Sequence, residues 1–146
     1  MQVFIIGTPL ETAMALDKVR LNKQIIETYQ ILSAIHGETK AWANHPVTIM
    51  YSGIREVQWL VKYLEVLEAY RDGEFNRVRL LDYEANLIKP TFHTQEYFDQ
   101  MKRRLYTKDP NHYRKWANLG TSEVNWYYVN RKWRYYHSGK QVNYNI

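Results

Sequence analysis

The pattern of apolar and polar positions predicts a chain that begins with a long helix. After an apolar start, Thr8 and Glu11 form a capping-box sequence, and apolar residues then recur at helical spacing until Gly37. Glycine at that point is typical of a helix end. We expect a helix over about residues 9–36, with a break near Asp17.

The same spacing predicts further helices through the middle of the chain. Proline and threonine stand where helices are expected to begin, and Gly or Pro follows where they are expected to end. The predicted helices run from Pro46 to Asp72, over 75–88, from 95 to 107 behind a Thr94 cap, and from Asp109-Pro110 to about Gly120.

The last part of the chain has a different pattern. Between Trp126 and Tyr136 it is irregular or extended and rich in aromatic residues, and no pair of strands joined by a hairpin turn is evident. We therefore predict an all-α fold: a single compact domain over 1–146, made of several helices, with an irregular aromatic-rich C-terminal segment. Residues 137–146 are expected to form a loosely packed tail.

Composition narrows the classes of function. The 146 residues include no Cys, which excludes disulfides, cysteine nucleophiles and thiolate zinc sites. The five His show no metal-ligand spacing, so no metal is expected. No apolar run is long enough to cross a membrane, and no signal peptide is recognisable. We expect a cytoplasmic protein that does not bind membranes.

Charge is distributed unevenly along the chain. Residues 102–146 carry 10 of the 20 Lys and Arg but only 2 of the 15 Asp and Glu. Cations interleaved with aromatic rings indicate a polyanion partner, since cations contact phosphates and rings stack on bases. A solubilising surface, with half of the aromatic residues in the core, is the alternative. The candidate DNA-binding residues here are Arg104, Lys108, His112, Trp126, Tyr127, Arg131 and Lys132.

The first helix carries a second set of candidates. Arg20, Lys23, Gln24 and Glu27 lie at helical spacing and share one face. Among apolar neighbours the Glu27 carboxyl is expected to lose part of its hydration, which raises its pKa toward values useful for proton transfer. An ordinary surface face with charge pairing is the alternative.

His45 lies just before the helix that Pro46 opens. At that position its ring is a candidate for proton transfer or for a phosphate contact. The alternative is a histidine that only caps the helix or shapes the turn.

These motifs, in this order, resemble those of the endonuclease V-type pyrimidine-dimer DNA glycosylases, small all-α repair enzymes of phages and bacteria. The similar segments run through most of residues 1–136. They are Leu16-Asp17-Lys18-Val19-Arg20-Leu21-Asn22-Lys23-Gln24-Ile25-Ile26-Glu27, Asn44-His45-Pro46, Arg104-Leu105 with Lys108-Asp109-Pro110 and His112-Tyr113, and the aromatic cluster after Trp126.

The resemblance implies an enzyme that removes a base from double-stranded DNA and then nicks the strand as an abasic-site lyase. The N-terminal amine is the implied nucleophile, here that of Met1 because the bulk of Gln2 hinders removal of the methionine. Glu27 is the implied proton-transfer carboxylate. Arg20, Lys23, Arg104 and Lys108 are the implied phosphate contacts, and no cofactor is needed.

Two positions differ from the family pattern. Ile26 and Gln30 stand where the family has arginines, so the sequence leaves the lesion open: a pyrimidine dimer, another modified base or a bare abasic site. Two further functions stay open as well. One is a DNA-binding protein without catalysis on the same fold, and the other is a small module that inhibits a protein partner.

Overall fold

The fold is described from a computed structural model, which covers residues 2–74, 86–137 and 140–143, with side chains up to Arg134. Within these ranges the chain is mostly helical, with one small sheet near its C-terminal end. The α-helices are α1 (Pro9–Ala15), α2 (Lys18–Ile35), α3 (Pro46–Met50), α4 (Ile54–Arg71) and α5 (Gln95–Lys108).

The first predicted helix is confirmed together with its break. The Thr8 hydroxyl accepts the Glu11 N–H, and the Glu11 carboxylate accepts the Thr8 N–H, which completes the capping box. Extended backbone at Leu16 and Asp17 separates α1 from α2. Beyond α2, Gly37 has a φ of +76°, a conformation that glycine adopts without strain.

The second predicted helix is wrong in one respect, because the structure splits it into α3 and α4. His45 caps α3 by accepting the Val47 N–H at Nδ1 (3.1 Å). After α3, Tyr51 is fully buried, and α4 begins at Ile54 behind Gly53. Because both helices pack against the same core, the apolar positions continue at helical spacing across the break. The sequence pattern therefore does not indicate where the first helix ends and the second begins.

The helix predicted from Thr94 is confirmed as α5, whereas the one predicted after Asp109-Pro110 is replaced. A turn is followed by a 3₁₀ helix over Arg114–Leu119. The Asp109 carboxylate accepts the His112 N–H (3.1 Å), and the Asp109 carbonyl accepts the Tyr113 N–H (3.1 Å). These bonds form a tight turn that buries Tyr113. Helical structure begins again only after this turn, as the 3₁₀ helix.

The all-α prediction is wrong at the C-terminal end, where three antiparallel strands form a sheet. They are β1 (Asn125–Val129), β2 (Lys132–His137) and β3 (Lys140–Asn143), paired in chain order. The turn between β1 and β2 consists of Asn130 and Arg131, both with positive φ (54° and 61°). Such a hairpin turn usually contains glycine, so Asn-Arg gave no hairpin signal.

The N-terminal segment, residues 2–5, lies inside the fold. Val3 and Ile5 are fully buried, and the Tyr97 hydroxyl of α5 donates to the Val3 carbonyl (3.1 Å). Helices α1 and α2 pack on α4, while β1 packs on α3 and α5. The chain start is thereby held between the helical layer and the hairpin.

Three further points complete the fold. The helix predicted over 75–88 falls almost entirely outside the described residues. The single-domain prediction and the loose tail over 137–146 stay predictions. Among the described helices, none is long and apolar enough to span a membrane.

Candidate active site

The site is built around Gln24, a buried glutamine of α2 that holds the N-terminal segment. Its Nε2 donates to the Gln2 carbonyl (2.8 Å), and its Oε1 accepts the Phe4 N–H (2.9 Å). The Tyr63 hydroxyl of α4 also donates to this Oε1 (3.2 Å). Since its side chain is 1% exposed, Gln24 positions the chain start and offers no surface for DNA.

Gln2 ties the same segment to the hairpin. Its side-chain Oε1 accepts the Trp126 N–H (2.9 Å), and its Nε2 donates to the Trp126 carbonyl (3.2 Å). This pair of bonds copies the way in which a neighbouring strand would bond to β1. Helix α2, the N-terminal segment and the aromatic hairpin are therefore held together through Gln2 and Gln24.

Glu27 lies one helical turn beyond Gln24 and is half-buried. It accepts a long hydrogen bond from Gln24 Nε2 (3.4 Å). Burial raises the pKa of the Glu27 carboxyl above its usual value, although the N-terminal amine charge, Lys23 and a hydrogen bond from the Gln2 backbone oppose the rise. A carboxyl with a raised pKa beside the N-terminal segment is a candidate for proton transfer there.

His45 lies in the same electrostatic environment. Burial lowers the pKa of its ring to about 4, and the N-terminal amine charge adds to the effect. Its Nδ1 accepts the Val47 N–H, so the proton of the neutral ring lies on Nε2. His45 is thus a neutral hydrogen-bond donor at physiological pH. Its ring makes edge contacts with Tyr127 and Trp42, each at 5.5 Å between centroids.

A basic face adjoins Glu27. The pKa of Lys108 is lowered by burial and then by the positive charges of Arg104, Lys23 and Arg20, while Glu27 opposes the shift. The Lys108 ammonium also lies over the Phe4 ring, 5.8 Å from its centroid. The structure thereby brings the four predicted phosphate contacts and the predicted catalytic carboxylate together.

The four cations differ in how strongly the protein itself pairs them. Arg20 pairs with Asp17 (3.3 Å) and Asp109 (4.0 Å), and Arg104 donates to the Ser122 carbonyl (3.1 Å) and the Asn125 side chain (2.9 Å). Within the described part of the chain, neither lysine has a carboxylate within 4 Å. Lys23 and Lys108 are accordingly the cations most available to an anionic ligand.

The other residues predicted to bind DNA are either buried, bonded within the protein or at the turn of the hairpin. Trp126 and Tyr127 are 1% and 2% exposed, so their ring faces pack in the core. His112 is exposed, but its Nε2 bonds the Ala15 carbonyl (3.2 Å) at the end of α1. Arg131 and Lys132 lie at the exposed turn of the hairpin, and Met1 lies outside the described residues.

Two features of the site were missed by sequence reasoning. The first is the pairing of Gln2, because nothing in the sequence indicates that its side chain bonds to the backbone of a residue far along the chain. The second is Trp42, an exposed tryptophan beside His45, which the sequence could have indicated because a bulky aromatic residue is unusual in a loop.

In the part of the chain that the structure describes, no group of three potential ligands could hold a metal ion.

The site thus combines a half-buried carboxyl near the chain start with two lysines, Lys23 and Lys108, that have no carboxylate within 4 Å in the described part of the chain. In a comparison with family models, residues 1–71 match the model described as pyrimidine dimer DNA glycosylase. The resemblance to this DNA-repair family is thereby confirmed over those residues, which include Gln24, Glu27 and His45. Neither curated proteins nor solved structures gave a match.

Proposed function

We propose that this protein is a DNA glycosylase with abasic-site lyase activity, which uses the α-amine of Met1 as nucleophile and Glu27 as proton-transfer group. The observation that carries the proposal is that Gln24 Nε2 donates both to the Glu27 carboxylate (3.4 Å) and to the carbonyl of Gln2 (2.8 Å), the residue next to that amine. Covalent geometry limits the amine to within about 4 Å of the Gln2 nitrogen. The family match over residues 1–71 supports the same chemistry.

The reaction begins when the neutral amine attacks C1′ of the damaged nucleotide. An α-amine has a pKa of about 7.7–8.0, so a useful fraction is neutral near pH 7. The bond from C1′ to the base breaks, and the base leaves with the bonding electron pair and takes up a proton. Loss of the amine proton and opening of the sugar ring, whose O4′ is protonated, give the Schiff base. Glu27 is the proposed carrier of these protons.

Strand cleavage follows from the Schiff base. Removal of a proton from C2′ breaks the bond from C3′ to its oxygen, and the 3′ phosphate leaves as the anion. Water then hydrolyses the Schiff base and regenerates the amine. Because the iminium withdraws electrons from C2′, this sequence requires no added oxidant or reductant.

The basic face is the proposed seat of the DNA backbone. Lys23 and Lys108 have no carboxylate within 4 Å in the described structure, and the charges of both interact with Glu27. Phosphate contacts from such lysines release counterions, which makes binding strongly dependent on salt. His45 is proposed to donate its Nε2–H to the bound nucleotide, because its ring is neutral at physiological pH.

Borohydride trapping on a duplex with an abasic site tests the proposal. Borohydride reduces a Schiff base to a stable amine, so the wild type should become covalently attached to the DNA. A form with extra residues before Met1 should not be trapped, and Glu27→Gln should be trapped about 100-fold more slowly, the size expected for the loss of one proton-transfer group. The matched control is Glu96→Gln, an exposed carboxylate in the first turn of α5.

The outcomes separate the rival functions. Trapping of the wild type and Glu96→Gln alone supports amine-based lyase chemistry. Salt-sensitive DNA binding without any trapping would contradict the proposal and indicate a binding protein on a repair-enzyme fold. Absence of DNA binding would also contradict it and favour a module that binds a protein.

A further inference from the structure

Trp42 is an exposed tryptophan held in an unfavourable backbone conformation beside the site. Its φ is +65°, in the left-handed region that L-residues other than glycine and asparagine rarely adopt. The residue is nevertheless 43% exposed, so much of its ring faces solvent and is not packed in the core. Strained residues of this kind cluster at functional sites.

The loop is built to place this residue. The Ala43 N–H bonds the Lys40 carbonyl (3.3 Å), which puts Trp42 at the third position of a turn where Gly or Asn is usual. The His45 N–H bonds the Trp42 carbonyl (3.1 Å), so a second turn begins at the same residue. Two consecutive turns thereby fix Trp42 between the end of α2 and the start of α3.

Trp42 adjoins the candidate active site directly. The edge contact between its ring and that of His45 joins it to a residue whose pKa responds to the N-terminal amine charge. On its other side Trp42 borders a cavity of about 300 Å³, which also contacts Tyr29 of α2, two residues after Glu27. An aromatic surface therefore continues from His45 past Trp42 to Tyr29.

The chemistry of this cavity favours a base over a phosphate. Glu38 is the one charged residue among those that border it, and a carboxylate repels the DNA backbone. The other lining groups are neutral: Tyr29, Gln30, Ser33, Thr39, Ala41 and Trp42. Aromatic faces with neutral polar groups suit a nucleobase, which has a stacking face and hydrogen-bonding edges.

We propose that Trp42 is the residue on which a base of the bound DNA stacks once the duplex opens at the damaged nucleotide. This inference rests on the proposed function, since it requires DNA seated on the basic face with its lesion at Glu27. Trp42 then favours damaged over intact duplex, because the base pairs of intact DNA keep their bases stacked and offer no free face.

Affinity for two duplexes tests this role. One duplex contains a tetrahydrofuran abasic-site analogue and the other is intact, and fluorescence anisotropy gives both dissociation constants. Trp42→Gly should weaken binding to the abasic duplex about 10-fold, the size expected for one base–aromatic stack, and leave binding to intact DNA unchanged. Trp42→Phe should retain most of the preference for the abasic duplex.

The variants are chosen to exclude a merely structural effect. Glycine suits a φ of +65°, so Trp42→Gly should unfold at the same or a higher denaturant concentration than the wild type. Ile49→Ala is the matched control, because Ile49 of α3 is 44% exposed and apolar but has no ring. It should change neither dissociation constant.

Two results would overturn the inference: equal affinity of Trp42→Gly and the wild type for the abasic duplex, or an equal loss on both duplexes. Borohydride trapping of the wild type, run in parallel, reports on the proposed function separately. A selective effect of Trp42 without trapping supports the stacking role and contradicts the lyase. Trapping without a selective effect contradicts only the stacking role.

Discussion

Two neighbouring polar regions of this protein are built in opposite ways. Around Gln24, the side-chain amide has partners on Gln2, Phe4 and Tyr63, and all are buried. Around Lys108, the positive charges of neighbouring residues gather, and they add to the effect of burial in lowering the pKa of the lysine. The first region holds the N-terminal segment in one position, whereas the second carries positive charge that attracts anions.

This difference explains how the site combines precision with affinity. Hydrogen bonds in a buried network are costly to leave unmade, so they specify one position for the N-terminal segment. Exposed cations contribute little to folding but attract phosphates over long distances. Substitutions in the two regions are therefore expected to affect different properties, stability in one and DNA binding in the other.

The largest expected effect is that of Gln24→Leu. It removes the partners of the Gln2 carbonyl and the Phe4 N–H inside the fold, and each buried polar group left unpaired costs about 1–3 kcal/mol. We expect a loss of about 3–5 kcal/mol in the free energy of unfolding, measured by urea denaturation. Gln58→Leu, at an exposed position of α4, should change it by less than about 0.5 kcal/mol. Similar losses in both variants would contradict the account of Gln24.

The next largest effect is expected from acid, which tests whether the buried ring of His93 stays uncharged in the folded protein. His93 bonds the Tyr51 hydroxyl (2.8 Å), and burial lowers the pKa of its ring to about 3. Between pH 6.5 and 3 the unfolded chain binds a proton there that the folded chain does not, so stability falls as pH falls.

The size of this effect can be measured directly. At pH 4.5 His93 should account for a loss of about 2–3 kcal/mol relative to pH 7, since each pKa unit corresponds to about 1.4 kcal/mol. Denaturation of His93→Gln at both pH values should show a correspondingly smaller loss on acidification. An unchanged loss in this variant would show that His93 is protonated in the fold or that other groups dominate.

The smallest effect on stability is expected on the exposed side of the comparison. Lys108→Gln removes a charge that repels its neighbours, so the free energy of unfolding should rise slightly or stay within about 0.5 kcal/mol. DNA affinity should fall, and the slope of log K against log salt should decrease by about 0.9 for one lost phosphate contact. Lys89→Gln, an exposed lysine before the turn that precedes α5, should leave the slope unchanged; an equal change there would contradict a specific basic face.

Much of the helical part was predictable because its signals are local. Capping residues and apolar spacing correctly indicated α1, α2 and α5, and the shared face of Lys23 and Glu27 followed from helical geometry. The sheet was not predictable in the same way. Its turn uses Asn130 and Arg131 in left-handed conformations, and its strands are stabilised by contacts with residues far away in the chain, such as Gln2.

The sequence indicated which residues lie at the candidate site, but it did not indicate what each side chain contacts there. Sequence spacing placed Gln24 on the same face as Lys23 and Glu27, yet it did not reveal that the chain start covers Gln24. The aromatic cluster was similarly ambiguous: Trp126 and Tyr127 pack in the core, whereas the exposed ring next to the site belongs to Trp42. Burial depends on the assembled fold, which a pattern of residue types does not determine.

The central claim is that the chain's own α-amine forms the Schiff base, and peptide mapping of the trapped protein–DNA complex tests it most directly. After borohydride reduction, nuclease treatment and trypsin digestion, mass spectrometry locates the nucleotide remnant. The account predicts it on the peptide that ends at Lys18, attached to the amine of Met1. A remnant on Lys23 or Lys108 would contradict the claim and make a lysine of the basic face the nucleophile.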